Sequence, residues 1–190
     1  MIRFAVPADA AALLAIYEQY IDTSITFEYA LPSLGEFRER IESISRAYPY
    51  LVWEEDGAVL GYAYAHRYRE RAAYQWGAEL SVYLDRAACG RGGGRRLYAA
   101  LMALLQLQGV RVVYGVVTSP NERSDRLHKT MGFSVAGVVH RAGFKGGRWH
   151  DVTTFEKAIG VFDGAPAPLQ SIAQADPRVV GAILRAASDA

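Results

Sequence analysis

Cysteine is almost missing: Cys89 is the single one among 190 residues. That excludes an intrachain disulfide framework and any metal site built on several thiolates. An excess of either charge is missing too. Twenty-one basic residues stand against 20 acidic ones, a formal net charge of +1. No broad field exists to draw in nucleic acid or hold the chain on an anionic membrane. No run approaches the roughly 20 apolar residues of a membrane-spanning helix. The opening Met1-Ile2-Arg3-Phe4-Ala5-Val6-Pro7 lacks the apolar stretch of a secretory signal. These absences predict a soluble, cytoplasmic protein with neither a nucleic-acid nor a membrane partner. What is abundant is apolar side chain, 51 % of all residues. A domain of about 150 residues hides roughly 70 % of its unfolded surface, so one full domain fits with some chain left over.

Ile2 to Val6 alternates and predicts a first strand. Leu13, Leu14, Tyr17 and Ile21 then recur at helical spacing from Ala8 to Ile21, with Asp9 as the expected cap. Ser33 and Glu36 have capping-box spacing and predict a second helix to about Arg46. Tyr50 to Glu55, the turn Asp56-Gly57 and Ala58 to His66 read as a hairpin, and Ala78 to Leu84 as a third strand beside it. After Gly90-Arg91-Gly92-Gly93-Gly94, the stripe Leu97, Leu101, Leu104 and Leu105 marks a helix. Arg111 to Val117 reads as a buried strand, and Pro120-Asn121 opens a helix that Gly132 stops. Phe133 to His140 and Val152 to Glu156 read as the last strands, joined through Gly143 to Gly147. The order β-α-α-β-β-β-α-β-α-β-β implies one mixed α/β domain over residues 1–160. Residues 161–190 read as a linker, Gly164-Ala165-Pro166-Ala167-Pro168, and a terminal helix from Ile172 to Ala187 that Pro177 begins or interrupts.

A strand that ends in a glycine-rich turn feeding a helix is an anion cradle. The free N–H groups of the first helical turn point at the ligand, and glycine keeps any Cβ out of its way. Arg86, Arg91, Arg95 and Arg96 add local positive charge. Two well-known phosphate loops fail. A Walker loop needs Lys then Ser or Thr, but Gly94 is followed by Arg95-Arg96-Leu97. In G-x-G-x-x-G the last glycine would fall on Arg95 or on Leu97.

The cluster does resemble the pyrophosphate loop Q/R-x-x-G-x-G/A of the GNAT superfamily of N-acetyltransferases. Gly92 and Gly94 take its glycine positions, and Leu84-Asp85 is the usual strand end before it. Cys89 departs from the Gln or Arg of the first position. Gly93 replaces an apolar residue and is expected to loosen the helix start. Asn121-Glu122-Arg123-Ser124, followed by Leu127-His128 and Gly132-Phe133, resembles the N-x-x-S…LH…GF segment of the same superfamily. Two long blocks narrow the resemblance. Arg71-Ala72-Ala73-Tyr74-Gln75-Trp76-Gly77-Ala78-Glu79-Leu80-Ser81-Val82-Tyr83-Leu84 looks like the R-x-A-Y-x-W-x-x-E-x-(S/T)-V-Y-V block of phosphinothricin N-acetyltransferases. Gly143-Phe144-Lys145-Gly146-Gly147-Arg148-Trp149-His150-Asp151-Val152 looks like their G-(F/Y)-K-x-G-x-W-H-D-V segment. The resemblance covers roughly Ile2 to Ala158.

It implies a GNAT fold, a mostly antiparallel twisted sheet flanked by helices, and acetyl-CoA as cosubstrate. Glu79 is then the base that takes the amine's proton. Alternation puts Glu79, Ser81 and Tyr83 on one face. The N–H near Val82 is the expected oxyanion donor, and His128 or Tyr83 the acid for the departing thiolate. Val82, Tyr83, Leu84, Gly90, Arg91, Gly92, Gly93, Gly94, Arg95, Asn121 and Ser124 would hold the cosubstrate. Arg69, Arg71, Tyr74 and Lys145 would bind an acidic or polar acceptor, with Phe27 as a wall. No metal is expected, and a homodimer is expected by resemblance. Three acceptors or roles stay open: a small amino acid or analogue such as phosphinothricin or methionine sulfoximine, a protein N-terminus or polyamine, or CoA binding without turnover.

Overall fold

The structure, a computed structural model, describes residues 1–189. Seven strands, β1 (Ile2–Phe4), β2 (Tyr50–Glu55), β3 (Ala58–Arg67), β4 (Gly77–Leu84), β5 (Val112–Ser119), β6 (Ser134–Lys145) and β7 (Arg148–Ala158), form one sheet in the order β1-β2-β3-β4-β5-β7-β6. Neighbours are antiparallel except β4 and β5. Five α-helices flank it: α1 (Ala10–Ile21), α2 (Leu34–Ser45), α3 (Gly93–Gln108), α4 (Glu122–Thr130) and α5 (Pro177–Asp189). The mixed α/β sheet read from the sequence is the one observed. No helix among the described residues is long and apolar enough to cross a membrane.

The alternation of the strands divides the core in two. Leu51, Trp53, Ala63, Ala65, Ala78 and Leu80 point to the face covered by α3. Tyr50, Val52 and Tyr62 point to the opposite face, under α1 and α2. Local chemistry fixes the ends. The Ser33 hydroxyl accepts from the Glu36 N–H at 3.2 Å while Glu36 Oε2 accepts from the Ser33 N–H at 2.7 Å, the reciprocal cap read from their spacing. Asp56 and Gly57 turn the β2–β3 hairpin with φ of 50° and 77°. Asp9 does not cap α1, contrary to expectation. Its carboxylate takes the Val6 N–H at 2.8 Å and both terminal nitrogens of Arg3, which secures a short 3₁₀ turn, Pro7–Asp9, ahead of the helix.

The last two strands run further than their alternation suggested. β6 is interrupted between Val139 and Gly143, where the pairing register shifts. Asp151 holds that bulge: it accepts from the Arg141 N–H and pairs with His140 Nδ1, each at 2.8 Å, while Arg141 sits at φ 52°. Pairing then resumes to the Gly146-Gly147 turn. In the tail, Pro177 begins α5 without interrupting it. α5 returns to α3 and β1, with Ile172, Val180, Ile183 and Leu184 packed on the larger core and Ala187 buried in it.

Candidate active site

β4 and β5 pair only at Gly77–Val112, Ala78–Val113 and Glu79–Tyr114. Both strands continue, to Leu84 and Ser119, without further pairing, so a wedge opens between them. At the two ends of β4 the Asp85 N–H donates to Leu60 and the Gly77 carbonyl accepts from Tyr68. These bonds put the odd-numbered backbone groups of β4 toward β3. Alternation therefore sends those of Leu80, Val82 and Leu84 into the wedge. The Leu84 carbonyl takes the Tyr20 hydroxyl at 2.5 Å, and the Leu80 carbonyl receives a long contact from Tyr98 at 3.4 Å. Among the described residues, the N–H and C=O of Val82 have no strand partner.

The glycine loop closes the wide end of this wedge. Gly90 and Gly92 have φ of 85° and 83°, with open space where a Cβ would stand. Arg96 makes the first bond of α3, back to the Gly92 carbonyl at 3.1 Å. The N–H groups of Gly93, Gly94 and Arg95 are thus left without intrahelical partners. The loop was expected to be loosened by Gly93, and the structure corrects this. A Cβ at Gly93 would overlap the fully buried Trp53 ring, so the indole supplies the missing apolar volume. Arg96 lies over that ring at 4.7 Å and Arg91 at 5.5 Å, and Glu55 binds both guanidinium groups. Free amides, glycines without Cβ and Arg95, which makes no ion pair among the described residues, suit a pyrophosphate.

At the narrow end stands Glu79, its side chain 24 % exposed and its Oε1 3.7 Å from His66 Nε2. Burial lifts its carboxyl above the ordinary range, while the neighbouring imidazole pulls the other way. Ser81 and Tyr83 share its face. Tyr83 stacks on Tyr62 at 5.4 Å and meets Tyr17 edge-on at 5.1 Å. Burial holds its phenol far above its usual titration range, so it carries its proton at neutral pH. The loop after β3 joins this group through rings: Arg69 lies over Tyr68 and Tyr74, and Tyr68 stacks at 3.8 Å on Tyr114, the strand partner of Glu79. Tyr68, Tyr74, Trp76 and Tyr114 line a cleft of ≈ 270 Å³ there.

Known proteins decide what this arrangement belongs to. Residues 2–154 match the acetyltransferase (GNAT) domain. The chain is a GNAT acetyltransferase. It is 35 % identical over 174 residues to a phosphinothricin N-acetyltransferase of Streptomyces viridochromogenes, covering 91 % of this chain and 94 % of the relative. It is 34 % identical over 160 residues to an L-methionine sulfoximine/L-methionine sulfone acetyltransferase of Salmonella typhimurium, covering 80 % of this chain and 90 % of the relative. A crystal structure of a Sinorhizobium meliloti phosphinothricin acetyltransferase in complex with AcCoA superimposes with a TM-score of 0.84 at 35 % identity, over 88 % of this chain and 92 % of that one.

Within this GNAT domain the expected residues separate. Val82, Tyr83, Leu84, Gly90, Gly92, Gly93, Gly94 and Arg95 border the wedge or its loop, and the side chains of Leu127, Leu84 and Val82 surround the space beside Gly94. Arg91 lies in the loop but is tied to Glu55. Asn121 caps α4 by accepting from the Ser124 N–H at 3.2 Å, which leaves its amide N–H₂ for a ligand. Arg71 makes no ion pair among the described residues, and Phe27 packs over Gly143.

Two expectations fail on geometry. Lys145, 8 % exposed, was expected to reach the acceptor, yet its ammonium donates to the carbonyls of Ile21, Thr26 and Glu28 at 2.6, 2.6 and 2.8 Å. All three of its protons are taken, so it clamps the β6–β7 hairpin to the α1–α2 loop. His128 was one of the two candidates, with Tyr83, to protonate the thiolate. It is 1 % exposed, and its Nδ1 lies 2.8 Å from the Ser124 carbonyl. A carbonyl only accepts, so the hydrogen is on Nδ1 and Nε2 holds a bare lone pair against Gly115 with no partner. Sequence reasoning overlooked His66, although pairing β3 against β4 through an antiparallel register would have placed it opposite Glu79.

Proposed function

We propose that this chain moves the acetyl group of acetyl-CoA directly to the α-amine of a small amino acid or analogue of the phosphinothricin or methionine sulfoximine type. One observation carries this reading: Glu79 stands at the narrow end of the β4–β5 wedge, the unpaired Val82 amide follows three residues further along β4, and the phosphate-suited loop closes the wide end. The relatives named above, and the Arg69, Arg71 and Tyr74 loop beside Glu79, favour an amino-acid acceptor with an anionic end.

The reaction forms a C–N bond, breaks a C–S bond and releases one proton from the acceptor ammonium. The acyl donor supplies an activated thioester carbonyl. Glu79 takes the ammonium proton. The unpaired Val82 N–H is the donor for the developing oxyanion charge in this reading. With no hydrogen on His128 Nε2, Tyr83, a protonated phenol on the same face as Glu79, gives its proton to the thiolate and recovers one from the nitrogen of the tetrahedral adduct, so that the single proton released is the one Glu79 takes. No covalent enzyme intermediate is needed, since holding both substrates in the wedge supplies much of the rate. A homodimer in the cytoplasm belongs to the same reading. The long β6 edge, with Val135, Val138 and Val139 exposed, supports the dimer.

Thiol release from acetyl-CoA over a panel of free amino acids, with phosphinothricin and methionine sulfoximine included, tests the assignment. Saturable turnover on those two is expected. Silence on them, with turnover on N-terminal peptides or polyamines, would overturn the acceptor.

A further inference from the structure

We infer that His66 is a positioning residue for the base: it orients the Glu79 carboxylate and passes its proton to solvent. The inference rests on the acetyltransferase reading above.

His66 and Glu79 face each other in register across β3 and β4, with Nε2 3.7 Å from Oε1. The other ring nitrogen, Nδ1, lies 3.0 Å from the Arg67 carbonyl. That carbonyl can only accept, so Nδ1 carries the hydrogen and the Nε2 lone pair is turned to the carboxylate. A lone pair and an ionised carboxylate repel unless a proton lies between them. The pair is therefore built to share one proton, on Glu79 or on His66. Exposure gives the direction of travel, 24 % for the Glu79 side chain and 40 % for His66.

The proton count closes. The acceptor ammonium gives one proton to Glu79, Glu79 gives one to Nε2, and the imidazolium gives one to water, which restores the carboxylate. At 3.7 Å the contact is longer than a hydrogen bond. A small rotation of the half-exposed ring, or one bridging water, closes it.

The groups around the pair leave this exchange to the two of them. Tyr64 on β3 lies 6.2 Å from His66 ring to ring, Tyr114 is the β5 partner of Glu79, and Tyr98 on α3 is near from the other face. Burial raises all three phenols, so none is charged at neutral pH. Beyond Tyr64, Glu28 and Arg40 pair with each other at 2.7 Å. Glu156 lies across Tyr114 on β7, and Arg67 turns to Glu70.

The test compares pH profiles of kcat/KM for the full chain, His66→Gln and Glu79→Gln. Expected for His66→Gln is a loss of about tenfold, an unchanged KM for acetyl-CoA, and an acidic limb moved up by about one pH unit, because the cation that favoured ionised Glu79 is gone. Added imidazole should restore part of the rate in His66→Ala. A profile that superimposes on the parent's overturns the relay. A second readout needs no turnover: the ring-nitrogen NMR chemical shifts of His66 at one fixed pH should differ between Glu79→Gln and the parent, because Nε2 loses its carboxylate partner. Identical shifts overturn the pairing. Silence of the parent on every acceptor, with the NMR coupling present, would overturn the acetyltransferase reading and leave the coupled pair standing.

Discussion

The ring of Trp53 fills the space that a side chain at Gly93 would need. Trp53 is fully buried on β2 and lies under the guanidinium groups of Arg91 and Arg96, so it cannot step aside. Position 93 is also the first residue of α3, where free amides face the wedge. Packing and anion binding therefore meet in one residue.

Gly93→Ala should cost about 1–3 kcal/mol of stability through overpacking. It should also raise the dissociation constant for acetyl-CoA about tenfold, since the helix start must shift. Thermal unfolding and calorimetric titration measure the two effects. Trp53→Leu in the same background should recover part of the binding, because it removes the obstructing ring. Unchanged affinity in Gly93→Ala would show that the loop tolerates the displacement.

The Lys145 clamp gives a second prediction. Its three carbonyl acceptors come from the end of α1 and the loop after it, and Tyr29 also binds the Phe144 carbonyl from that loop. Lys145→Met should cost about 2–3 kcal/mol by stranding buried carbonyls. It should raise KM for the acceptor and leave KM for acetyl-CoA alone, because the loop it holds carries Phe27 and not the phosphate cradle. A normal melting temperature combined with a raised acceptor KM would restore direct contact between Lys145 and the acceptor.

Legibility in the sequence followed how local each signal was. The reciprocal cap of Ser33 and Glu36, the Asp56-Gly57 turn and the leucine stripe of α3 depend on neighbours a few residues away, and they stand where their spacing put them. Motif resemblance located the wedge residues from Val82 to Gly94. The failures were long-range. Lys145 and His128 carry the residue types of a site but are satisfied by carbonyls, one from distant segments and one from its own helix. The reason for Gly93 lies 40 positions back, in Trp53. The bulge at Arg141 interrupts the alternation that would have extended β6 to Lys145, and Asp151 on the next strand holds it.

His128 supplies a pH dependence with a definite sign. Burial is the main cause of its lowered pKa, while the Ser124 carbonyl and the Asp125 charge act upward. The unfolded chain, with an ordinary histidine near 6.5, takes up the proton before the folded one does. Stability from this residue is therefore complete above about pH 6.5 and falls as pH drops toward the folded value, with a slope approaching about 1.4 kcal/mol per pH unit. Denaturant unfolding of the parent and of His128→Asn between pH 5 and 8 should show a slope in the parent that is reduced in the variant. Kinetics on the same variant address the chemistry. A thiolate acid removed from the site would cost roughly 10²–10⁴ in kcat. A buried lone pair that donates nothing predicts a far smaller loss, and a fall of the larger size would return the proton to Nε2.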